Sequence, residues 1–368
     1  NKRGVFSLET VLERQSDNHW SKIPEVFRYV NQAASITPTT GTEYGYLGGG
    51  RQDIPAPWNS TSTVDRIDFA SDITTASPRG NLDLGVSKSG SFSSTSYGYI
   101  VGGDYGGPSP SKTSNTQRVD YASDLSTASP KGKLTDTGYS ISGVGDNNFG
   151  YSVGGQRPGT SSKVDRLDYS NDTAAAVAKG SLSETKYGNG STGTNFYGYT
   201  AGGYTGSNFT SKSDRIDYSN DTATASPKGP LTSAKYFAGA AGNADYGYWA
   251  GGAPSIGGTT YVDRLDWSND TAAAVAKGPL SSARRYVGAT GNASYGYWMG
   301  GADSTTSPPA RSIVDRIDYS NDTPTASPKG NLSSAKRCVT NNGFGSRTNT
   351  LYQEQKLPLT AAVAVSFA

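Results

Sequence analysis

The sequence predicts an all-β fold, a six-bladed β-propeller, from three observations. The chain contains six copies of a unit of about fifty residues. Each unit begins with Tyr-Gly-Tyr or Phe-Gly-Tyr, continues through Gly-Gly and reaches Asp-Arg-Ile/Leu-Asp-aromatic; in the second unit this last motif is Gln-Arg-Val-Asp-Tyr. Short stretches rich in Tyr, Val, Ile and Thr are bounded by Gly, Pro, Asn and Asp, as in antiparallel sheets. Units of four strands cover their faces when they stack around an axis.

The repeat has one part of constant length and one of variable length. From each strand arginine to the central glycine of the next unit the interval is 32 residues in every case, whereas from glycine to arginine it varies from 16 to 21. The variation falls in the loop between the second and third strands. We therefore expect the constant part to be scaffold and the variable loop to carry recognition.

The repeat occupies residues 41–346 and predicts one propeller domain. Its first unit lacks an innermost strand, while residues 336–343 align with 284–291 of the last complete unit, so a C-terminal strand is expected to close the first blade. Residues 1–40 are unrepeated and rich in large apolar groups, which predicts an anchoring segment that docks on another protein or packs on its own propeller. The tail, 347–368, could add a strand to a neighbour or seal the propeller.

Composition argues against several classes of function. The net charge of +2 is spread along the chain, which disfavours nucleic acid as a partner, and no apolar stretch is long enough for membrane insertion. A single histidine and a single cysteine provide no metal site, no cofactor ligation and no catalytic triad. Glutamate is scarce in the repeats, so paired carboxylates for glycoside hydrolysis have little support. We predict that the chain is not an enzyme.

One arginine recurs in the third strand of every unit. Both faces of a blade are covered by neighbours, so each guanidinium needs a carboxylate, and the aspartates that flank it in sequence are the predicted partners. A ring of catalytic or ligand-binding Asp-Arg pairs is the alternative, but repetition in every blade favours structural pairing. These structural arginines are Arg66, Arg118, Arg166, Arg215, Arg264 and Arg316.

A basic residue also recurs just after the fourth strand. Alternating strand directions place it on the same rim as the variable loops, which predicts a ring of six positive charges. Such a ring would increase solubility or contact an acidic ligand. Its members are Arg79, Lys131, Lys179, Lys228, Lys277 and Lys329.

The variable loops span residues 50–63, 104–116, 156–163, 204–213, 253–261 and 302–313. They combine aromatic and charged residues with many Ser, Thr, Gly and Pro, a mixture found in binding loops, although drift in surface loops without a ligand is the alternative. The predicted ligand contacts are Trp58, Tyr105, Arg157, Tyr204, Phe209 and Asp303.

Two resemblances follow from these motifs. The unit resembles a kelch repeat in three features: Gly-Gly closes the second strand, an aromatic residue ends the third, and a basic residue follows the fourth. It differs from the usual kelch pattern in the fourth strand, where Ala-Ser-Pro or Ala-Val-Ala stands in place of a tryptophan. Residues 3–8, Arg-Gly-Val-Phe-Ser-Leu, with Trp20 soon after, resemble the N-terminal peptide that precedes Gly-Tyr-rich repeats in structural proteins of marine bacteriophages, cyanophages especially. The second resemblance implies a virion component with an outward-facing propeller.

The sequence therefore favours a non-enzymatic virion protein, a tail-fibre or head-fibre adhesin whose rim loops bind host surface glycan. Residues 1–40 would bind other virion proteins, and multimeric display would let weak rim contacts add up. A structural or decoration protein that contacts only other virion proteins is the second interpretation. A glycan-degrading propeller enzyme is the third.

Overall fold

The structure, a computed structural model, describes residues 44–52, 60–106, 111–254, 257–303, 309–337 and 344–345. Within these residues the chain forms six four-stranded antiparallel sheets, so the predicted six-bladed all-β propeller is confirmed. The predicted anchoring segment 1–40 and the tail 347–368 lie outside the described residues. No helical segment in the described ranges is long and apolar enough to cross a membrane.

The strands follow the repeat in chain order. Blade one begins with β1 (Tyr44–Gly48), β2 (Val64–Asp68) and β3 (Ser77–Pro78). Blade two contains β4 (Gly90–Ser93), β5 (Tyr97–Val101), a loop hairpin of β6 (Asp104–Tyr105) and β7 (Ser111–Lys112), β8 (Thr116–Asp120) and β9 (Ser129–Lys131). Blade three contains β10 (Ser142–Gly145), β11 (Phe149–Val153), β12 (Val164–Asp168) and β13 (Val177–Ala178).

The second half repeats the arrangement. Blade four contains β14 (Gly190–Gly193), β15 (Tyr197–Ala201), β16 (Ser213–Asp217) and β17 (Ser226–Lys228). Blade five contains β18 (Tyr236–Gly242), β19 (Tyr246–Ala253), β20 (Val262–Asp266) and β21 (Val275–Lys277). Blade six contains β22 (Gly288–Gly291), β23 (Tyr295–Met299), β24 (Val314–Asp318) and β25 (Ser327–Pro328), and β26 (Phe344–Gly345) follows.

The propeller closes through β26, which pairs with β1 as the innermost strand of blade one, as the sequence predicts. Gly345 opposes Gly45 just as Gly291 opposes Gly296 in blade six. The sequence alignment matched Gly343 to Gly291, so the strand register lies two residues further along the chain than predicted. Pairing of strands from both ends of the chain removes the open edges of the ring.

Five of the third strands lead into a short 3₁₀ helix that an aspartate caps. The side chain of Asp266, for example, accepts a hydrogen bond from the N–H of Ser268, which turns the chain toward the fourth strand. Blade six has a turn at the equivalent place, where Asp318 accepts from the N–H of Ser320. The five 3₁₀ helices are Phe69–Ser71, Tyr121–Ser123, Tyr169–Asn171, Tyr218–Asn220 and Trp267–Asn269.

The Tyr-Gly-Tyr motif packs one blade against the next. Its glycine makes room for an aromatic ring, since a Cβ on Gly247 would lie 2.2 Å from the indole of Trp267. That indole stacks on Tyr199, the last residue of the motif in the preceding blade, with ring centroids 4.2 Å apart. The stacked pairs at all six interfaces are Tyr46–Tyr121, Tyr99–Tyr169, Tyr151–Tyr218, Tyr199–Trp267, Tyr248–Tyr319 and Tyr297–Phe69.

The Gly-Gly pairs hold the blades together at one rim. In blade four, Gly202 and Gly203 both have positive φ, 68° and 110°, and the N–H of Gly203 donates to the carbonyl of Lys235 in blade five at 2.8 Å. A Cβ on Gly202 would lie 2.4 Å from that same carbonyl oxygen. The Gly-Gly pairs therefore allow the backbones of neighbouring blades to approach closely.

Apolar packing is divided among the interfaces instead of forming one large core. Six clusters of buried side chains lie between successive blades, each joining Tyr, Val, Leu or Ile from one blade to residues of the next. The tryptophans Trp249 and Trp298 are fully buried, and each indole N–H donates to a carbonyl of the preceding blade at 3.0 Å. This arrangement accommodates a chain of only 33% hydrophobic residues.

Candidate functional site

The basic residues after the fourth strands do not form an exposed ring, so that prediction was wrong. Each is largely buried and forms an ion pair with an aspartate of the next blade, with N–O distances of 3.0–3.5 Å. The loop after each third strand folds back over the neighbouring blade and brings the aspartate there. The pairs are Arg79–Asp124, Lys131–Asp172, Lys179–Asp221, Lys228–Asp270, Lys277–Asp322 and Lys329–Asp72.

The third-strand arginines bind these same aspartates and not the flanking ones. In blade four, Arg215 Nη1 lies 2.7 Å from Asp270 Oδ2, and the Tyr199 hydroxyl donates to that oxygen at 2.7 Å. Tyr199, Arg215 and Lys228 of one blade thus surround one carboxylate of the next, an arrangement we call the interblade clamp. The arginine pairs are Arg66–Asp124, Arg118–Asp172, Arg166–Asp221, Arg215–Asp270, Arg264–Asp322 and Arg316–Asp72.

The first flanking aspartate has a separate role beneath the loops. In blade four, Lys186 and Asp214 are both fully buried, and Lys186 Nζ lies 2.9 Å from Asp214 Oδ2. Blade two lacks such a pair, because Gln117 replaces the aspartate and instead makes two hydrogen bonds to the backbone of Leu84. The buried pairs are Lys336–Asp65, Arg157–Asp165, Lys186–Asp214, Lys235–Asp263 and Arg284–Asp315.

Arg157 belongs to this buried set, which corrects its prediction as a ligand contact on the rim. Blade three has Gly138 where blade four has Lys186, and a Cβ on Gly138 would lie 3.0 Å from Arg157 Cγ. The loop arginine enters the space that the missing side chain leaves. Its side chain is 1% exposed, and its Nη1 lies 2.5 Å from Asp165 Oδ2.

A second feature lies where the chain enters each innermost strand. The two residues at this point, which we call the axial pair, link the blades around the propeller axis. The N–H of Phe237 donates to the carbonyl of Gly188, and that of Tyr286 donates to the carbonyl of Phe237. Within the described residues, blades two to six contain the axial pairs Ser87–Lys88, Tyr139–Ser140, Tyr187–Gly188, Tyr236–Phe237 and Arg285–Tyr286.

The second residue of every axial pair has positive φ although only one is glycine. Lys88, Ser140, Phe237 and Tyr286 have φ values of 51–60°. Such a conformation costs about 1–3 kcal/mol for a side-chain-bearing residue and is concentrated at functional sites. The first residue of the pair forms a backbone bridge to the variable loop, as between Tyr187 and Tyr204. The axial pairs and the variable loops therefore form one face, which we call the loop face.

Aromatic rings form a continuous row on the loop face over blades four to six. Successive ring centroids are 4.2–5.5 Å apart, and every ring except the buried Phe237 is partly exposed. Burial, followed by neighbouring tyrosine hydroxyls, raises the pKa of Tyr187, so that its phenol stays protonated as a hydrogen-bond donor. We call this row the aromatic arc; in order, it comprises Tyr187, Tyr204, Phe209, Tyr236, Phe237 and Tyr286.

The loop that carries Tyr204 and Phe209 is rigidly folded. These two residues form a backbone bridge, and between them the N–H of Thr205 donates to the carbonyl of Asn208 at 2.9 Å. The Thr205 hydroxyl accepts from the N–H of Asn208 at 3.1 Å. Both predicted aromatic contacts are therefore held on the loop face before any ligand arrives.

The remaining predicted ligand residues have different surroundings. Tyr105 lies in β6 and is 37% exposed, so it remains available at the rim. Asp303 forms a partly exposed ion pair with Arg311, whose Nε lies 3.0 Å from Asp303 Oδ1. Trp58 lies outside the described residues.

Sequence reasoning missed Tyr187, Tyr236, Phe237 and Tyr286 because they fall in the constant 32-residue part of the repeat. What marks these positions in the sequence is that the residue types change from unit to unit while the number of residues stays the same. The two positions of the axial pair in blades two to six read Ser-Lys, Tyr-Ser, Tyr-Gly, Tyr-Phe and Arg-Tyr, whereas the Tyr-Gly-Tyr motif and the third-strand arginine motif hardly change. The constant 32-residue part of the repeat therefore also contributes residues to the candidate site.

Among the described residues, no group of three or more His, Cys, Asp or Glu side chains is placed to hold a metal ion. No protein-family model matches the sequence, and no curated protein matches it. The solved structure of YjhT is similar to the chain, with a TM-score of 0.61 and 12% identity, over 78% of this chain and 98% of YjhT. At that identity the similarity concerns the propeller fold alone.

Proposed function

We propose that the chain is a non-enzymatic binding protein whose loop face binds glycan through the aromatic arc. The continuous row of partly exposed rings is the observation that carries the proposal. Flat aromatic surfaces pack against the apolar faces of sugar rings, while phenol hydroxyls form hydrogen bonds with sugar hydroxyls. Few side-chain rotations need to be frozen on binding, because the rings already pack against one another.

The ion pairs of the loops support binding over hydrolysis. Asp104 lies 3.0 Å from Arg51 Nη2, and Glu184 lies 3.1 Å from Lys212 Nζ. Asp303 and Asp136 are likewise paired with basic residues. These carboxylates are engaged by basic residues and hold the loops in place, which favours a binding surface over a hydrolytic site.

The proposal is tested by comparing two phenylalanines on opposite faces of the propeller. Phe209 lies in the aromatic arc, whereas Phe196 lies in the connection between β14 and β15 on the opposite face and is 60% exposed. We expect Phe209→Ala to weaken glycan binding by about tenfold, ~1.4 kcal/mol, and Phe196→Ala to leave it unchanged. A glycan array followed by calorimetric titration of the bound sugar measures both. Equal affinities for the wild type and Phe209→Ala would contradict the role of the arc.

We further propose that this binding protein is part of a virion, as a fibre-borne adhesin. The support is the resemblance of residues 3–8 to the N-terminal peptide of marine bacteriophage structural proteins. Deleting residues 1–35 is expected to abolish incorporation into particles while leaving the glycan affinity of the purified propeller intact. Immunoblotting of purified particles measures incorporation. Normal incorporation of the truncated chain would refute anchoring through this segment.

A further inference from the structure

On the loop face, the guanidinium of Arg285 has no acidic partner among the described residues. Arg285 is 8% exposed, and its Nε is buried without a hydrogen-bond partner among the described residues. Its Nη1 lies 3.5 Å from the hydroxyl of Tyr236, and its guanidinium carbon lies 5.1 Å from the ring centroid of Tyr286. Both rings belong to the aromatic arc, so the charge is placed at the end of the proposed sugar platform.

The neighbouring loops supply no free carboxylate. Loop 253–261 contains no Asp or Glu, and loop 302–313 contains only Asp303, which is paired with Arg311. Arg285 thus differs from Arg157 and Arg284, whose guanidinium groups each bind a buried aspartate.

A buried guanidinium without an anion is energetically unfavourable, because it has lost water and gained no charged partner. A bound carboxylate or sulfate would supply that partner and could engage the planar fork through two hydrogen bonds. The ring that carries the acidic group would at the same time lie against Tyr236 or Tyr286. Stacking and charge recognition therefore converge at one place.

We propose that the loop face selects acidic sugars, bearing a carboxylate or a sulfate, and that Arg285 binds the acidic group. This inference rests on the proposed binding of glycan by the aromatic arc. It adds the chemical class of the ligand and a residue that determines specificity. Neutral sugars would still stack on the rings but would leave the guanidinium without a partner.

Matched ligand pairs test the inference. Oligogalacturonate and its methyl ester have the same sugar rings, but only the first carries free carboxylates. Dextran sulfate and dextran likewise have the same sugar rings, but only the first carries sulfate groups. By calorimetric titration we expect the wild type to bind one acidic member about tenfold or more tightly than its neutral partner. Arg285→Met is expected to bind both members with the affinity of the neutral one. Arg285→Lys, which keeps the charge but loses the fork, should lie between.

Arg311→Met is the matched control, because it removes the same charge from an adjoining loop where the arginine already has a partner. It should retain the preference for the acidic member. Unchanged binding of the neutral member by Arg285→Met shows that the site is still folded. Equal wild-type affinity for both members of both pairs overturns the inference and leaves the proposed function standing. Equal losses in the two variants also overturn it, and no binding of any member overturns both proposals.

Discussion

Replacing Asp270 by alanine is expected to lower the free energy of unfolding by about 3–5 kcal/mol, a large fraction of the stability of an ordinary domain. The carboxylate binds Arg215 and Lys228 of the preceding blade and accepts a hydrogen bond from Tyr199, at 2.7, 3.1 and 2.7 Å. Its loss would leave two partly buried cations and a buried hydroxyl without their acceptor. Guanidinium-induced unfolding followed by tryptophan fluorescence measures the difference.

Asp266→Ala is the matched control for this substitution. Asp266 lies in the same turn, is partly exposed, and accepts hydrogen bonds from the N–H and hydroxyl of Ser268 within that turn. Its replacement should cost about 1 kcal/mol, as the loss of a capping side chain does. Similar losses for both variants would show that the interblade clamp contributes no more than an ordinary turn cap.

The clamp also predicts an acid dependence. Burial would raise the pKa of Asp270, but the Tyr199 hydroxyl, Lys228 and Arg215 outweigh it and hold the pKa below its ordinary value. A carboxylate with a lowered folded-state pKa contributes stability above its unfolded pKa of about 3.9, and loses it as the pH falls through the folded pKa. The difference between the wild type and Asp270→Ala should therefore shrink below pH ~4.

The second large effect is expected in alkali. The tyrosine that ends each Tyr-Gly-Tyr or Phe-Gly-Tyr motif has a raised pKa. Burial is the main cause, and the aspartate of the interblade clamp is the second. The six tyrosines are Tyr46, Tyr99, Tyr151, Tyr199, Tyr248 and Tyr297. Below the unfolded pKa of about 10 the stabilisation is fully present. Above it the unfolded chain loses protons that the folded chain keeps, and the free energy of unfolding falls.

Each tyrosine contributes a slope of about 1.4 kcal/mol per pH unit, so six together give about 8 kcal/mol per unit. We therefore expect abrupt unfolding near pH ~11. Tyr199→Phe should reduce the slope by about 1.4 kcal/mol per pH unit, because it removes one titrating group, and the part of the tyrosinate absorbance that this variant lacks should appear together with the loss of circular dichroism. If that part of the absorbance appears well before the sheet signal is lost, the Tyr199 hydroxyl titrates in the folded propeller.

The fold was predictable from sequence because every blade must make the same contacts with the next. A ring of equivalent interfaces forces the same residues to recur, which is why the glycine and arginine positions reveal six blades and the closing strand. The arginine partners were not predictable in the same way. Asp270 lies 55 residues beyond Arg215 and reaches it only because the loop after β20 folds back over blade four. Sequence proximity favoured the flanking Asp214 and Asp217 instead.

The candidate site shows the same limit. Tyr204 and Phe209 were predictable, because a loop of varying length carries them. Tyr187, Tyr236 and Arg285 were not, since they occupy a segment of constant length and join the loops only through backbone bridges such as Tyr187–Tyr204. Arg157 shows the opposite error, because its position in a variable loop conceals a buried side chain that occupies the space beside Gly138.

By itself the sequence determined the all-β architecture, the number of blades and the closure by a C-terminal strand, since these depend on periodic local patterns. Only the tertiary structure decided which charges are paired, which basic residues are buried, and which aromatic rings share a face. Those outcomes depend on contacts between blades, and the residues of the interblade clamp are about 40 to 80 positions apart in the chain, or more than 200 where blade six meets blade one. Pairing across that distance is set by how the sheets stack around the axis.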